Sequence, residues 1–87
     1  MTLDTLDDDQ RRQKAELVEA ALDQSERGLW SESAESNRAI VELDPRDVSA
    51  HNRLGRSLTK LGRLREALDS YQRAVEVDPA NAIALRN

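Results

Sequence analysis

The 87 residues include 17 acidic and 13 basic side chains, one histidine and no cysteine, with 38% apolar and 2% aromatic residues. Disulfides and thiolate metal sites are excluded, and the formal net charge of −4 lacks the basic footprint that phosphate binding needs, so no nucleic-acid partner is expected. No apolar run approaches the length of a membrane span or signal-peptide core, so no membrane association is expected either, and the absence of cysteine suits a reducing, cytoplasmic compartment.

Residues 1–9, with Asp7-Asp8-Asp9, read as an acidic solvated arm whose carboxylates also favour the N-terminus of a following helix. Leu17, Ala20, Ala21 and Gln24 predict a first helix over 10–27, ended by Gly28, because a helix C-terminus often requires a left-handed residue. Trp30, Ala34, Ile40, Val41 and Leu43 predict a second over 30–43, stopped at Asp44-Pro45 because the residue before proline is pushed out of the α region. Asp47 is a good N-cap for a third helix over 47–61, in which Leu54, Leu58 and Leu61 recur at helical spacing up to Gly62. Leu64, Ala67, Leu68, Tyr71, Ala74 and Val75 form an unbroken stripe for a fourth over 64–77, which Asp78-Pro79 stops. Asn81, another cap type, predicts the start of a short fifth.

These elements repeat. The pairs Gly28/Gly62, Glu32/Glu66, Ser36/Ser70 and Pro45/Pro79 are each 34 residues apart, and aligning 14–47 with 48–81 gives seven identities, against about two expected by chance at typical residue frequencies. The period and the spaced residues resemble the tetratricopeptide repeat. The second unit carries the pattern in Leu54-Gly55, Leu58, Gly62, Leu64, Ala67, Tyr71, Ala74 and Pro79, with His51 where the family usually has tryptophan. The first unit departs further, with Ala20-Ala21 for the Leu-Gly pair, Ser33 at the small site and Asn37 at the aromatic site. The chain then divides into the arm 1–9, repeats at 14–47 and 48–81, and the start of a third repeat or a capping helix at 82–87.

The resemblance implies an all-α fold of stacked helix-turn-helix hairpins in a right-handed superhelical array. Small residues at Ala21 or Gly55, Ser33 or Ala67, and Ile40 or Ala74 would lie at close helix crossings, with Trp30 and Tyr71 filling the space beside them. The concave face of such an array is lined by the first helix of each unit and commonly binds a peptide segment or partner helix. Here Val18, Leu22, Ser25 and Glu26 would face it from unit one, and Ser49, Asn52, Arg53, Arg56, Thr59 and Lys60 from unit two.

Arg53, Arg56 and Lys60, spaced 3 and 4 apart, share one helix face. They form either a cationic patch that receives an acidic peptide or a solvated face. Arg53 and Arg56 are both expected to be exposed, while Glu19 and Glu26 supply opposite charge on the inner face of unit one. Val18 and Leu22 either receive an apolar anchor or contact the arm and neighbouring helices. The carboxylate clamp by which some family members hold the acidic C-terminus of heat-shock chaperones would fall on Val18, Leu22, Arg53, Ile83 and Asn87; only Arg53 is basic, so that clamp is not expected.

No enzyme and no cofactor are expected. The single histidine, His51, supports no nucleophile–histidine arrangement. The run Gly55–Lys60 lacks the ending of a phosphate loop and lies inside a predicted helix. The acids at 7–9 lack the spacing and glycine of a calcium loop. A protein- or peptide-binding scaffold is the first reading; a self-assembling module, as a homodimer, or a structural segment of a longer repeat protein are the alternatives.

Overall fold

The structure is a computed structural model, which describes residues 6–81. It holds four α-helices, α1 (Asp8–Glu26), α2 (Trp30–Leu43), α3 (Val48–Lys60) and α4 (Leu64–Val77), followed by a 3-10 turn at Pro79–Asn81. There is no strand among the described residues. The expected fifth helix and residues 82–87 lie outside the described residues, as do residues 1–5 of the arm.

The first helix begins earlier than its apolar pattern predicts. Asp7 accepts a hydrogen bond from the Gln10 amide at 2.8 Å, and the Asp7 amide donates to Gln10 Oε1 at 3.0 Å. This reciprocal cap satisfies two amides that a helix start otherwise leaves open. Asp8 and Asp9 therefore sit in the first turn of α1, paired with Arg11 and Arg12, rather than in a solvated arm.

The two hairpin turns share one construction. Gly28 and Gly62 have φ of 71° and 78°, a left-handed conformation that costs a side-chain-bearing residue energy. The Gly28 and Leu29 amides donate to the Ser25 and Gln24 carbonyls, and the Gly62 and Arg63 amides donate to those of Thr59 and Leu58. Both sets close a Schellman motif and reverse the chain within three residues. Between the hairpins Asp47 caps α3 by accepting from the Ala50 amide at 2.9 Å. His51 is buried and its Nε2–H donates to the Pro45 carbonyl at 2.8 Å, tying α3 to the same turn.

Consecutive helices pack in chain order, α1 on α2, α2 on α3 and α3 on α4. The Cα trace is only 17 Å deep in its thinnest direction, the depth of two helix layers and no more. Ala34, Leu54, Leu58 and Ala67 form one core cluster with Val41 and Tyr71 against it; Ala21, Ile40 and Ala50 form another with Leu17, Val18 and Val41. The six crossing positions read from the repeat are all buried. The stripe on α4 divides, however. Ala67 and Ala74 face α3, whereas Leu64 and Leu68 are exposed. A helix of this array has two packed faces, one toward its hairpin partner and one toward the next unit, and a single apolar stripe covers both.

Candidate functional site

A groove opens between α1 and α3, lined by Leu22, Ser25, Glu26, Gly28, Trp30, Arg53 and Arg56. Its walls follow from the hairpin geometry: α1 and α3 each open a hairpin, and the turn at Gly28 delivers Trp30 to their shared edge. The Arg56 guanidinium lies 5.2 Å and the Lys60 ammonium 5.7 Å from the Trp30 ring centre. Each contact is worth about 0.5–1 kcal/mol at an exposed site. Arg56 and Lys60 are four apart on one helix, a like-charge spacing that costs a few tenths of a kcal/mol. Neither is ion-paired with a carboxylate among the described residues. Leu22 stands beside them, 46% exposed.

Arg53 occupies a different environment. It is half-buried, and its Nε donates to Asn37 Oδ1 at 2.9 Å. Asn37 donates in turn to the Ser33 carbonyl and to Ser33 Oγ, which also accepts from Ser57 Oγ at 3.0 Å. Asn37, Ser33 and Ser57 are fully buried, and among the described residues no buried side-chain polar atom lacks a partner. Arg53 thus closes a polar layer between α2 and α3, and the expectation that it is freely exposed like Arg56 is corrected. The aromatic site that Asn37 fills in the first hairpin is polar because this network occupies it.

A second groove lies between α2 and α4, with Val41, Leu54 and Leu58 on its floor and Arg38, Glu66, Asp69, Arg73 and Glu76 around it. Leu54 and Leu58 are only 5% and 1% exposed, but Val41, Pro45 and Val77 add apolar surface, and the rim mixes charge of both signs. The α1–α3 groove differs in setting an exposed leucine and a tryptophan beside Arg56 and Lys60, two cations with no ion pair among the described residues.

The family model described as tetratricopeptide repeat matches residues 48–81, the whole of the α3–α4 hairpin. Over 59 residues, 68% of its length, the chain is 36% identical to small glutamine-rich tetratricopeptide repeat-containing protein 2 of Mycosarcoma maydis. The chain belongs to the tetratricopeptide repeat family. It spans 17% of that relative's length. No solved structure matches it.

Of the residues singled out from sequence in this tetratricopeptide chain, Leu22, Arg53 and Arg56 line the groove together, and Lys60 joins them over Trp30. Asn52 is half-buried one turn before Arg56 on α3. Val18 is half-buried and packs against Ala21, Ile40 and Ala50, so its side chain serves the core. Glu26 lines the groove, but Glu19 does not: it groups with Glu16, Ala20 and Asp23 elsewhere on α1. The repeat pattern gives Trp30 only a packing role. Its position one residue past the positive-φ Gly28 turn, across from the cations of the next unit, was the available signal.

Lys14 holds the structure together at the far end of α1. Its ammonium lies 2.8 Å from Asp44 and 2.9 Å from Asp47, bridging α1 to the turn before α3. Burial alone would push the lysine pKa down, but hydrogen bonds and charge from both aspartates outweigh it and raise the pKa above the ordinary value. Burial likewise opposes ionisation of Asp47, and the bonds from Lys14 and the Ala50 amide overcome it, lowering that pKa.

Tetratricopeptide chains are interaction modules, and no helix among the described residues is long and apolar enough to cross a membrane.

Proposed function

We propose that this chain is a non-enzymatic scaffold that binds an acidic peptide in the α1–α3 groove. The observation that carries the reading is the pair Arg56 and Lys60, held over Trp30 with no carboxylate ion-paired to either among the described residues, beside the exposed Leu22. A peptide carboxylate would supply the missing anion, and an apolar side chain next to it would cover Leu22 and the indole. Charge-assisted bonds to arginine are among the stronger contacts at a surface, and a ring beside them excludes water. The matching Schellman turns at Gly28 and Gly62 support treating 14–47 as a first repeat beside 48–81. The cysteine-free sequence and net acidity support a cytoplasmic setting with no nucleic-acid or membrane partner.

The test is the affinity of a labelled Asp/Glu-rich peptide ending in leucine, titrated against the chain and against Arg56→Glu/Lys60→Glu. At least a tenfold loss, about 1.4 kcal/mol, with helicity unchanged by circular dichroism, is the expected result. Equal affinity for both proteins would remove this groove as the site.

A further inference from the structure

The face of α4 turned away from α3 carries Leu64 and Leu68, 64% and 53% exposed, with Leu61 close by at 38%. The 34-residue repeat shows what kind of group belongs against it. Leu64, Leu68 and Val75 are equivalent to Trp30, Ala34 and Val41 on α2. There α3 covers the face: Ala34 is 3% exposed against Leu54 and Leu58, Val41 packs on the same cluster, and Trp30 lies under Arg56 and Lys60. Because the connection from α2 to α3 is short, α3 runs antiparallel to the helix it covers. The α4 face is therefore built for an antiparallel helix with apolar residues one turn apart.

We propose that the occupant is α4 of a second copy, forming a two-fold antiparallel pair. A two-fold interface must be self-complementary, because each patch meets itself reversed. Beside the leucines stand Arg65 and Asp69, four residues apart, both exposed and neither ion-paired among the described residues. With the axis midway between them, Arg65 of each copy faces Asp69 of the other, and Leu64 interleaves with Leu68. A parallel two-fold pairing would instead put the two Arg65–Asp69 flanks on opposite sides of the leucine seam, where they cannot meet, so the charge pairing belongs to the antiparallel arrangement. Arg63, the other cation at this end, is already held by Glu66 through two bonds. One helix face buries less than the roughly 1,200 Å² typical of stable complexes, so the dimer is reversible and concentration-dependent.

Sedimentation velocity over a concentration series tests this with the full 87-residue chain. The chain is expected to self-associate reversibly, and Leu68→Glu to remain monomeric. Arg65→Asp and Asp69→Arg are each expected to weaken the dimer at least tenfold. The double reversal restores it, and so does an equimolar mixture of the two single variants. All of these positions are exposed, and circular dichroism checks that each variant is folded. A chain that stays monomeric at the highest concentration overturns the proposal, as does a dimer indifferent to Leu68→Glu. Single reversals that weaken association without rescue by the mixture overturn the antiparallel pairing.

Discussion

Gly55 and Tyr71 are fitted to each other: a Cβ placed on Gly55 would lie 2.8 Å from the Tyr71 ring. That is closer than non-bonded carbons approach, so the phenol lies flat on α3 only because the side chain opposite is a hydrogen. The first hairpin solves the same crossing differently, with Ala21 at the glycine position and Asn37 at the tyrosine position, both fully buried. The two substitutions belong together.

Gly55→Ala is therefore expected to destabilise the chain by about 1–3 kcal/mol through overpacking. In a Tyr71→Asn background the same change should cost nothing, or stabilise by up to about 1 kcal/mol, because alanine is the better helix former. Urea denaturation of the four proteins of this cycle measures the coupling. Additive effects would mean that the ring does not rest on Gly55.

Arg53 and Arg56, three residues apart on α3, should behave oppositely. Arg53→Ala removes the donor from buried Asn37 Oδ1 and is expected to cost about 1–3 kcal/mol, the penalty for a buried polar atom left without its partner. Arg56→Ala loses only its contact with Trp30, worth about 0.5–1 kcal/mol. Thermal unfolding of both variants separates them, and equal losses would contradict the assignment of Arg53 to the polar layer.

The Lys14 bridge sets a pH dependence at both ends of the scale. Asp47 has its pKa lowered from 3.8, so its contribution is complete above that value and disappears as pH falls through the lower folded value. Lys14 has its pKa raised from 10.5, so its contribution is complete below that value and is lost as pH rises through the higher folded one. The Tm difference between the chain and Lys14→Met should accordingly be widest near neutrality and shrink toward both extremes. A difference that does not vary with pH would show that Lys14 acts only by packing.

Ala67 is 3% exposed at the crossing of α3 and α4, whereas its neighbour Leu68 is 53% exposed. Ala67→Leu should destabilise by about 1–3 kcal/mol, while Leu68→Ala in dilute solution should fall within about 0.5 kcal/mol. Chemical denaturation at low concentration, where self-association is negligible, compares them.

The helices, the turns and the 34-residue period were legible in the sequence because each is encoded locally. Glycine marks the left-handed position, Asp-Pro stops α2 and α4, and Asp47 caps α3. Apolar periodicity places the start of α1 at residue 10, and the Asp7–Gln10 cap, a separate local signal, extends it to Asp8. The site was half legible. Helical spacing places Arg53, Arg56 and Lys60 on one face, but only the packing of α2 against α3 distinguishes the arginine held by Asn37 from the one over Trp30. The Lys14 bridge spans 30 residues of sequence and had no local sign. The exposure of Leu64 and Leu68 was hidden for a related reason, since an apolar stripe does not say which of its faces the chain covers.

Trp30 is the single tryptophan of the chain and lines the α1–α3 groove, so its fluorescence tests the central claim most directly. Titration with the acidic, leucine-terminated peptide should shift and saturate the Trp30 emission, and the change should be lost in Arg56→Glu/Lys60→Glu and weaken as salt rises. Binding of that peptide, seen by calorimetry, with the Trp30 emission unchanged would contradict the claim and place the partner on another face.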